Sequence, residues 1–387
     1  MNHHSSEHNR VVITGVGVFS SLGAGFASLS SATVESRAMA SAATSVPVFG
    51  PIASYSGAID DFGNLPAVRK RSLRKSMKLM NRETQLGVAA AYQAIQAADL
   101  DTAGYDSQRV GVCFGAGNVE VRPEDFIAGV QACSESPDQP IPNAWGSQGL
   151  PHVDPLWVLR VLPNMPACHI AIGCDYQGPN NTITQAEASA NLAIQEAKHH
   201  LLDDEADAMI AGSTGTSIRC DRSTNEGDAV AGEASEGAAA FVIERLDAAR
   251  NRNATIYAEV LGIGSSCVID NTMVPKPDDA IRNAIGASVA QSHLADRDAI
   301  QCVIYNGPHS DSAIQQSLGS PLSESMNLSE WIGQVDAGSG AIGLAMALMR
   351  LAATAPDAEH AALNLGITNN GLASCLVVRN LQTSRAA

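Results

Sequence analysis

Apolar positions along the chain fall into two alternating rhythms. Short runs rich in β-branched and small apolar residues, at 110–114, 208–211 and 301–305, read as strands; longer alanine-rich stretches between them, such as 186–202, read as helices. The apolar stretch 159–177, which contains His169, is expected as a strand. The Gly178-Pro179 turn follows it, then a short strand over 180–184 and the 186–202 helix. Such alternation predicts an α/β layered domain. The stretches RVVITGVGVFSSLG (10–23) and TIYAEVLGIGSSC (255–267) share a strand, a glycine turn and a small-residue follow-on. This echo divides the chain near residue 250 without a flexible linker. The expected organisation is a disordered polar tail over 1–9, an N-terminal half over 10–250 and a C-terminal half over 251–387.

Composition bounds the class. With 387 residues, 45% of them hydrophobic, the chain can bury a large core. Eight cysteines are scattered without Cys-x-x-Cys spacing, mostly in apolar stretches, which suits a reduced compartment better than a disulfide framework or a zinc site. No apolar run approaches the roughly 18 residues of a membrane span, and the first nine residues are polar, so a cytoplasmic protein is expected. A net charge of -16 argues against a nucleic-acid surface. Against it stands one basic cluster: Arg69, Lys70, Arg71, Arg74, Lys75 and Lys78. Of these, Arg71, Arg74, Lys75 and Lys78 follow i, i+3, i+4, i+7 spacing, so on a helix they share one face.

Several segments together carry a family resemblance. RVVITGVGVFSSLG, MNRETQLGVAAAYQAIQAADL (80–100), RVGVCFGAG (109–117), GPNNTITQAEASANLAIQEA (178–197) and EGAAAFVIERLDAARNRNATIYAEVLGIGSS (236–266) occur in this order. They resemble the opening strand, first long helix, second strand, nucleophile region and half-to-half crossing of the β-ketoacyl-acyl-carrier-protein synthases, the condensing enzymes of fatty acid and polyketide synthesis. The resemblance implies a thiolase-like five-layered α/β fold built from two duplicated βα halves. It also implies a dimer whose strand at 180–184 pairs across the two-fold, with acyl carrier protein as partner. No cofactor and no metal are implied. The segment RKRSLRKSMKLMNRE (69–83) resembles the family's carrier-docking segment, which assigns docking to Arg71, Arg74, Lys75 and Lys78; the plain alternative is a solvated helix face.

The family's catalytic positions have all changed. The nucleophilic cysteine aligns with Glu187, the two histidines with Asn306 and Gln334, and the supporting lysine falls near Ser329. A thiolate attacks a thioester readily and a carboxylate does so poorly. Histidines exchange protons near neutrality, whereas Asn306 and Gln334 donate hydrogen bonds without titrating. Glu187 is expected to be structural, as a carboxylate at a helix N-terminus, worth about 0.3 to 1 kcal/mol. Among other candidates, Cys168 and Cys174 read as small packed hydrophobes, His309 as part of a polar turn, His169 as a satisfied core histidine and Asp336 as a helix cap. Leu365 and Ile367 hold the pocket-gate positions where the family has phenylalanines, and this replacement is expected to alter or abolish gating. The connection at 212–233 is shorter than the family's.

The resemblance therefore implies a chain-length-factor-like subunit, lacking the nucleophile and paired with an active ketosynthase or with itself, that acts in fatty acid or polyketide synthesis. Two alternatives stay open: a divergent condensing or malonyl-decarboxylating acyltransferase using Glu187, Asn306 and Gln334, and a binding module that sequesters acyl carrier protein.

Overall fold

The computed structural model describes residues 9–31, 39–41, 49–117, 123–136, 139–218, 234–294, 296–307, 311–319, 324–354 and 359–381. The expected tail therefore lies, up to residue 8, outside the described residues. Ten strands follow one another across the molecule. The first five are β1 (Val11–Ser20), β2 (Val110–Gly115), β3 (Asn180–Ile183), β4 (Ala208–Thr216) and β5 (Glu236–Arg245). The second five are β6 (Ala258–Cys267), β7 (Ile300–Asn306), β8 (Glu324–Asn327), β9 (Ala361–Ile367) and β10 (Leu372–Arg379). Their order in space is β8-β7-β9-β10-β6-β1-β5-β4-β2-β3. From its outer edge each half reads third, second, fourth, fifth, first strand, and the two halves meet where Val11 to Ile13 pair antiparallel with Val260 to Ala258. The echo between 10–23 and 255–267 is thus the first strand of each half.

Helices cover both faces. α1 (Ala67–Ser76), α2 (Arg82–Ala97), α3 (Pro123–Ala132) and α4 (Met165–Cys174) belong to the first half, and α6 (Pro277–Ser292) and α7 (Asp311–Leu318) to the second; α5 (Ser189–Leu202) and α8 (Gly338–Ala352) run between the halves. One core holds Ile194 and Leu201 of α5 and Ile342 and Leu348 of α8 against Met209, Phe241, Ile304 and Leu376. The strand residues next in sequence turn the other way: Ile210 and Val242 pack beneath α2 and α4, and Val303 and Val377 pack beneath α6 and α7. Layers therefore run helix, sheet, helix, sheet, helix. Strands covered on both faces carry continuous apolar runs, which is why β5, buried at all ten positions, shows no period of two.

One expected strand is a helix. Residues 165–174 form α4, with Pro166 in its first turn and Asp175 closing it in the left-handed conformation at φ 58°. Its apolar residues are spread around the whole circumference, so no helical stripe marks them in the sequence, and a ten-residue apolar run is ambiguous by periodicity.

A buried polar brace joins the halves. Asn191 of α5 donates from Nδ2 to the carbonyls of Asn364 and Ser374, both at 3.1 Å, and Asn364 returns Nδ2 bonds at 2.8 Å to Asn191 Oδ1 and the Gly340 carbonyl. Every side chain in it is fully buried, so truncating one leaves its partner unsatisfied.

Candidate functional site

The site forms where the first half's central helix begins. The chain leaves β3, passes Ala186 at φ 43°, makes a tight turn over Ala186–Ala188 and enters α5. A positive φ at a non-glycine residue is strained. It is held in place by the Ser189 hydroxyl, which accepts the Gln185 N–H at 2.8 Å, and by two glycines of the second half. A Cβ at Gly340 would lie 2.7 Å from the Glu187 carbonyl oxygen, and one at Gly366 would lie 2.4 Å from it. Only glycine lets the α8 start and the β9 end approach so closely.

Glu187 is half-buried in this seat. Burial pushes its carboxyl up from 4.5 to about 7; its own backbone N–H opposes the rise and Asp336 adds to it. No side chain caps α5, so Glu187 does not supply the expected cap: its carboxylate takes its own N–H instead. Asp336 has a further carboxylate beside it across Gly117. Glu83 Oε1 accepts the Gly117 N–H at 2.8 Å, and a Cβ at Gly117 would meet both Glu83 and Asp336 within 3.1 Å.

Of the other expected positions, Asn306 borders the same seat and Gln334 lies on the approach to α8. Asn306, 2% exposed at the end of β7, accepts the Ile367 N–H on its Oδ1 at 3.3 Å, so its side chain fastens the residue beside Gly366. Gln334 is tied through its backbone: its carbonyl accepts from the Ser235 N–H at 2.9 Å and from the Ser217 hydroxyl, stitching the α8 approach to the ends of β4 and β5. Asp336, two residues on, stands at φ 57° before α8, and Ala337 rather than Asp336 occupies the cap position.

The assignment of Leu365 and Ile367 as a pocket gate needs correction. Leu365 and Ile367 are buried and belong to the core beneath α6 and α7, while Gly366 between them faces Glu187. Strand alternation turns both side chains away from Glu187, so they form no gate over it. Cys168, His169 and Cys174 lie on α4 in the outer layer. His169 is 6% exposed, burial lowers its pKa, and its Nε2 has no protein partner among the described residues, so it is not the satisfied core histidine expected. His309 and residues 219–233 lie outside the described residues. All seven described cysteines are free, and among the described residues no three His, Cys, Asp or Glu side chains are grouped to hold a metal. Nor, among those residues, is any helix long and apolar enough to cross a membrane.

The basic cluster divides into two sets. Arg69 pairs with Asp101 at 2.6 Å and Lys70 with Asp60 at 3.3 Å. Arg71, Arg74 and Lys75 on α1, and Lys78 in the turn after it, are exposed and make no ion pair among the described residues.

Sequence reading missed Gly340, Gly366 and the Glu83–Gly117 contact. A glycine between two apolar strand residues, as at 366, is the one local sign of a close backbone approach.

A family model described as β-ketoacyl synthase, N-terminal domain, matches residues 8–225. Two relatives named 3-oxoacyl-[acyl-carrier-protein] synthase 2, from Staphylococcus aureus and Coxiella burnetii, are each 27% identical over 293 residues. That match covers 70% of this chain and 66% of theirs, just under two thirds of the relatives' length. Among solved structures, a β-ketoacyl synthase from Burkholderia phymatum is similar with a TM-score of 0.70 at 19% identity, covering 96% of this chain and 99% of that one. The ishigamide ketosynthase/chain length factor is similar with a TM-score of 0.73 at 18% identity and the same coverage. At these identities the likeness is one of fold, and the fold is the five-layered one described above.

Proposed function

Because the chain belongs to the β-ketoacyl synthase family, we propose that it is a condensation-incompetent, chain-length-factor-like partner of an active ketosynthase. In this role it contributes to fatty-acyl or polyketide chains carried on acyl carrier protein. The observation that carries the reading is the seat of Glu187. The strained turn and glycine cradle that would display a nucleophile are intact, yet they display a carboxylate, a poor nucleophile toward a thioester. Asn306 supports it, because its amide oxygen is committed to the Ile367 N–H and cannot take up a proton near neutrality. The exposed cations Arg71, Arg74, Lys75 and Lys78, without ion pairs among the described residues, suit an acidic carrier protein, and β3, at the edge of its half-sheet, suits pairing with a second subunit.

One observation favours a second reading. A carboxyl titrating at about 7 can exchange protons at physiological pH, as a malonyl decarboxylase acting through Glu187 would require.

Purification of the tagged protein from its host, native mass spectrometry and a malonyl-carrier assay separate the two. The first reading expects a one-to-one complex with a cysteine-bearing ketosynthase, active only together. A homodimer that releases carbon dioxide from malonyl carrier, and stops when Glu187→Ala is introduced, establishes the second.

A further inference from the structure

A cleft opens where the two half-sheets meet beside the start of β1. Arg10, which precedes β1, and Arg250, on the short helix Leu246–Asn251, come from the first half; Glu359, Arg379 at the end of β10, Asn380 and Leu381 come from the second. Its volume is about 280 Å³, near the lower end of ligand-sized clefts. It is remote from Glu187. Glu359 precedes β9, whose far end carries Gly366, so the cleft and the Glu187 seat lie at opposite ends of that strand, roughly 20 Å apart along it. Glu259 of β6, its side chain 4% exposed, is not part of the lining but holds two of the arginines. Its Oε1 accepts Arg10 Nε and its Oε2 accepts Arg10 Nη2, both at 2.7 Å. Oε2 also accepts Arg379 Nη2 at 2.6 Å and Nε at 3.1 Å, while Arg379 Nη1 donates to Glu359.

We propose that this cleft binds a phosphate group, either free or carried on a small metabolite. Three features carry it. The local charge is reversed: three arginines and one glutamate line the cleft, a formal charge of +2 in a chain of net charge -16, and Glu259 behind them lowers it only to +1. A phosphate group brings about −1.5 to −2 of charge and three strong acceptor oxygens, a closer match than the single charge of a carboxylate. The cations are all arginines, whose forked donors fit phosphate geometry in a way that lysine does not. Two of the three are also held in advance: tied to one buried carboxylate, Arg10 and Arg379 lose little further side-chain freedom when an anion arrives. The bonds to Glu259 and Glu359 use three of the five Arg379 N–H donors and leave one on each terminal nitrogen for a ligand. Because the lining comes from both halves, a bound phosphate ties them together and adds to the stability of the native state.

Titration calorimetry of the full chain with inorganic phosphate and with glycerol phosphate tests this, against sodium chloride at matched ionic strength. Phosphate stabilises folded proteins without a specific site, so saturable binding rather than melting is the readout. One phosphate per chain is expected to bind in the millimolar range or tighter, with no counterpart in chloride. Arg250→Gln, at an exposed position outside the Glu259 pairs, should weaken binding at least about tenfold, the effect of losing one hydrogen-bonded charge. Arg250→Lys, which keeps the charge and loses the fork, should fall between that variant and the wild type. Glu359→Gln, which removes the one acid from the lining, should tighten binding severalfold, and unchanged far-ultraviolet spectra check that all three variants fold. A monoester bound more tightly than inorganic phosphate assigns the site to a phosphorylated metabolite, and equal or weaker binding assigns it to the free ion. The absence of a saturable isotherm with either probe, or wild-type affinity in folded Arg250→Gln, overturns the proposal and leaves the cluster as an ion-pair staple between the halves.

Discussion

The two halves seat each other's central helix in the same way and put different chemistry there. Gly366 stands one residue before the end of β9, the fourth strand of the second half, and makes room for the Glu187 carbonyl at the start of α5. Gly215 stands one residue before the end of β4, the fourth strand of the first half, and a Cβ there would lie 2.3 Å from the Val335 carbonyl and 2.5 Å from the Gly338 nitrogen, at the start of α8. The backbone solution is duplicated. The side chains are not: one seat presents a half-buried carboxyl, the other leads through Ala337 into Gly338, Ser339 and Gly340. Duplication has preserved the geometry that brings helix starts together, whereas reactivity belongs to whichever side chain occupies one seat.

If the seats are equivalent, breaking either should do the same damage. Gly366→Val and Gly215→Val are each expected to lower stability by about 3 kcal/mol or more, because the new side chain meets backbone that cannot move aside. Urea unfolding measures this; tolerance at one position with collapse at the other would end the equivalence.

A smaller effect should distinguish the seats by titration. The Glu187 carboxyl is raised from 4.5 to about 7 in the folded protein, so between these values the native state holds the proton more tightly than the unfolded chain does. Its contribution to stability is fully present below pH 4.5 and is lost as pH rises to about 7. The stability of the wild-type chain relative to Glu187→Gln should therefore fall across that window and be level outside it. A level difference throughout would mean that burial does not hold the proton.

The smallest effect on stability is expected far from both seats. Arg74→Glu with Lys75→Glu alters exposed residues without ion-pair partners among those described, so unfolding free energy should shift by no more than about 0.5 kcal/mol. Affinity for acyl carrier protein, measured by titration calorimetry, should nonetheless be lost. Retained affinity would reduce α1 to a solvated face.

Much of this was legible in the chain. The α/β alternation and the echo between the first strands of the halves follow from runs of neighbouring residues, and so does the helix behind Glu187, because periodicity is a local property. The same holds for the identities at 187, 306 and 334, none of which is a cysteine or a histidine. What lay outside it depended on contact between distant segments. Residues 165–174 form a helix because they pack against α2, though their apolar run fits either element. Leu365 and Ile367 turn from the site because β9 places Gly366 against a carbonyl 179 positions earlier in the chain (366 − 187). Arg69 and Lys70 are tied down while Arg71, Arg74, Lys75 and Lys78 have no ion pair among the described residues, since the acids that hold the first two lie on other segments. Glu187 titrates near neutrality only because two halves of the fold close around it, and burial is a property of the assembled structure rather than of the residue.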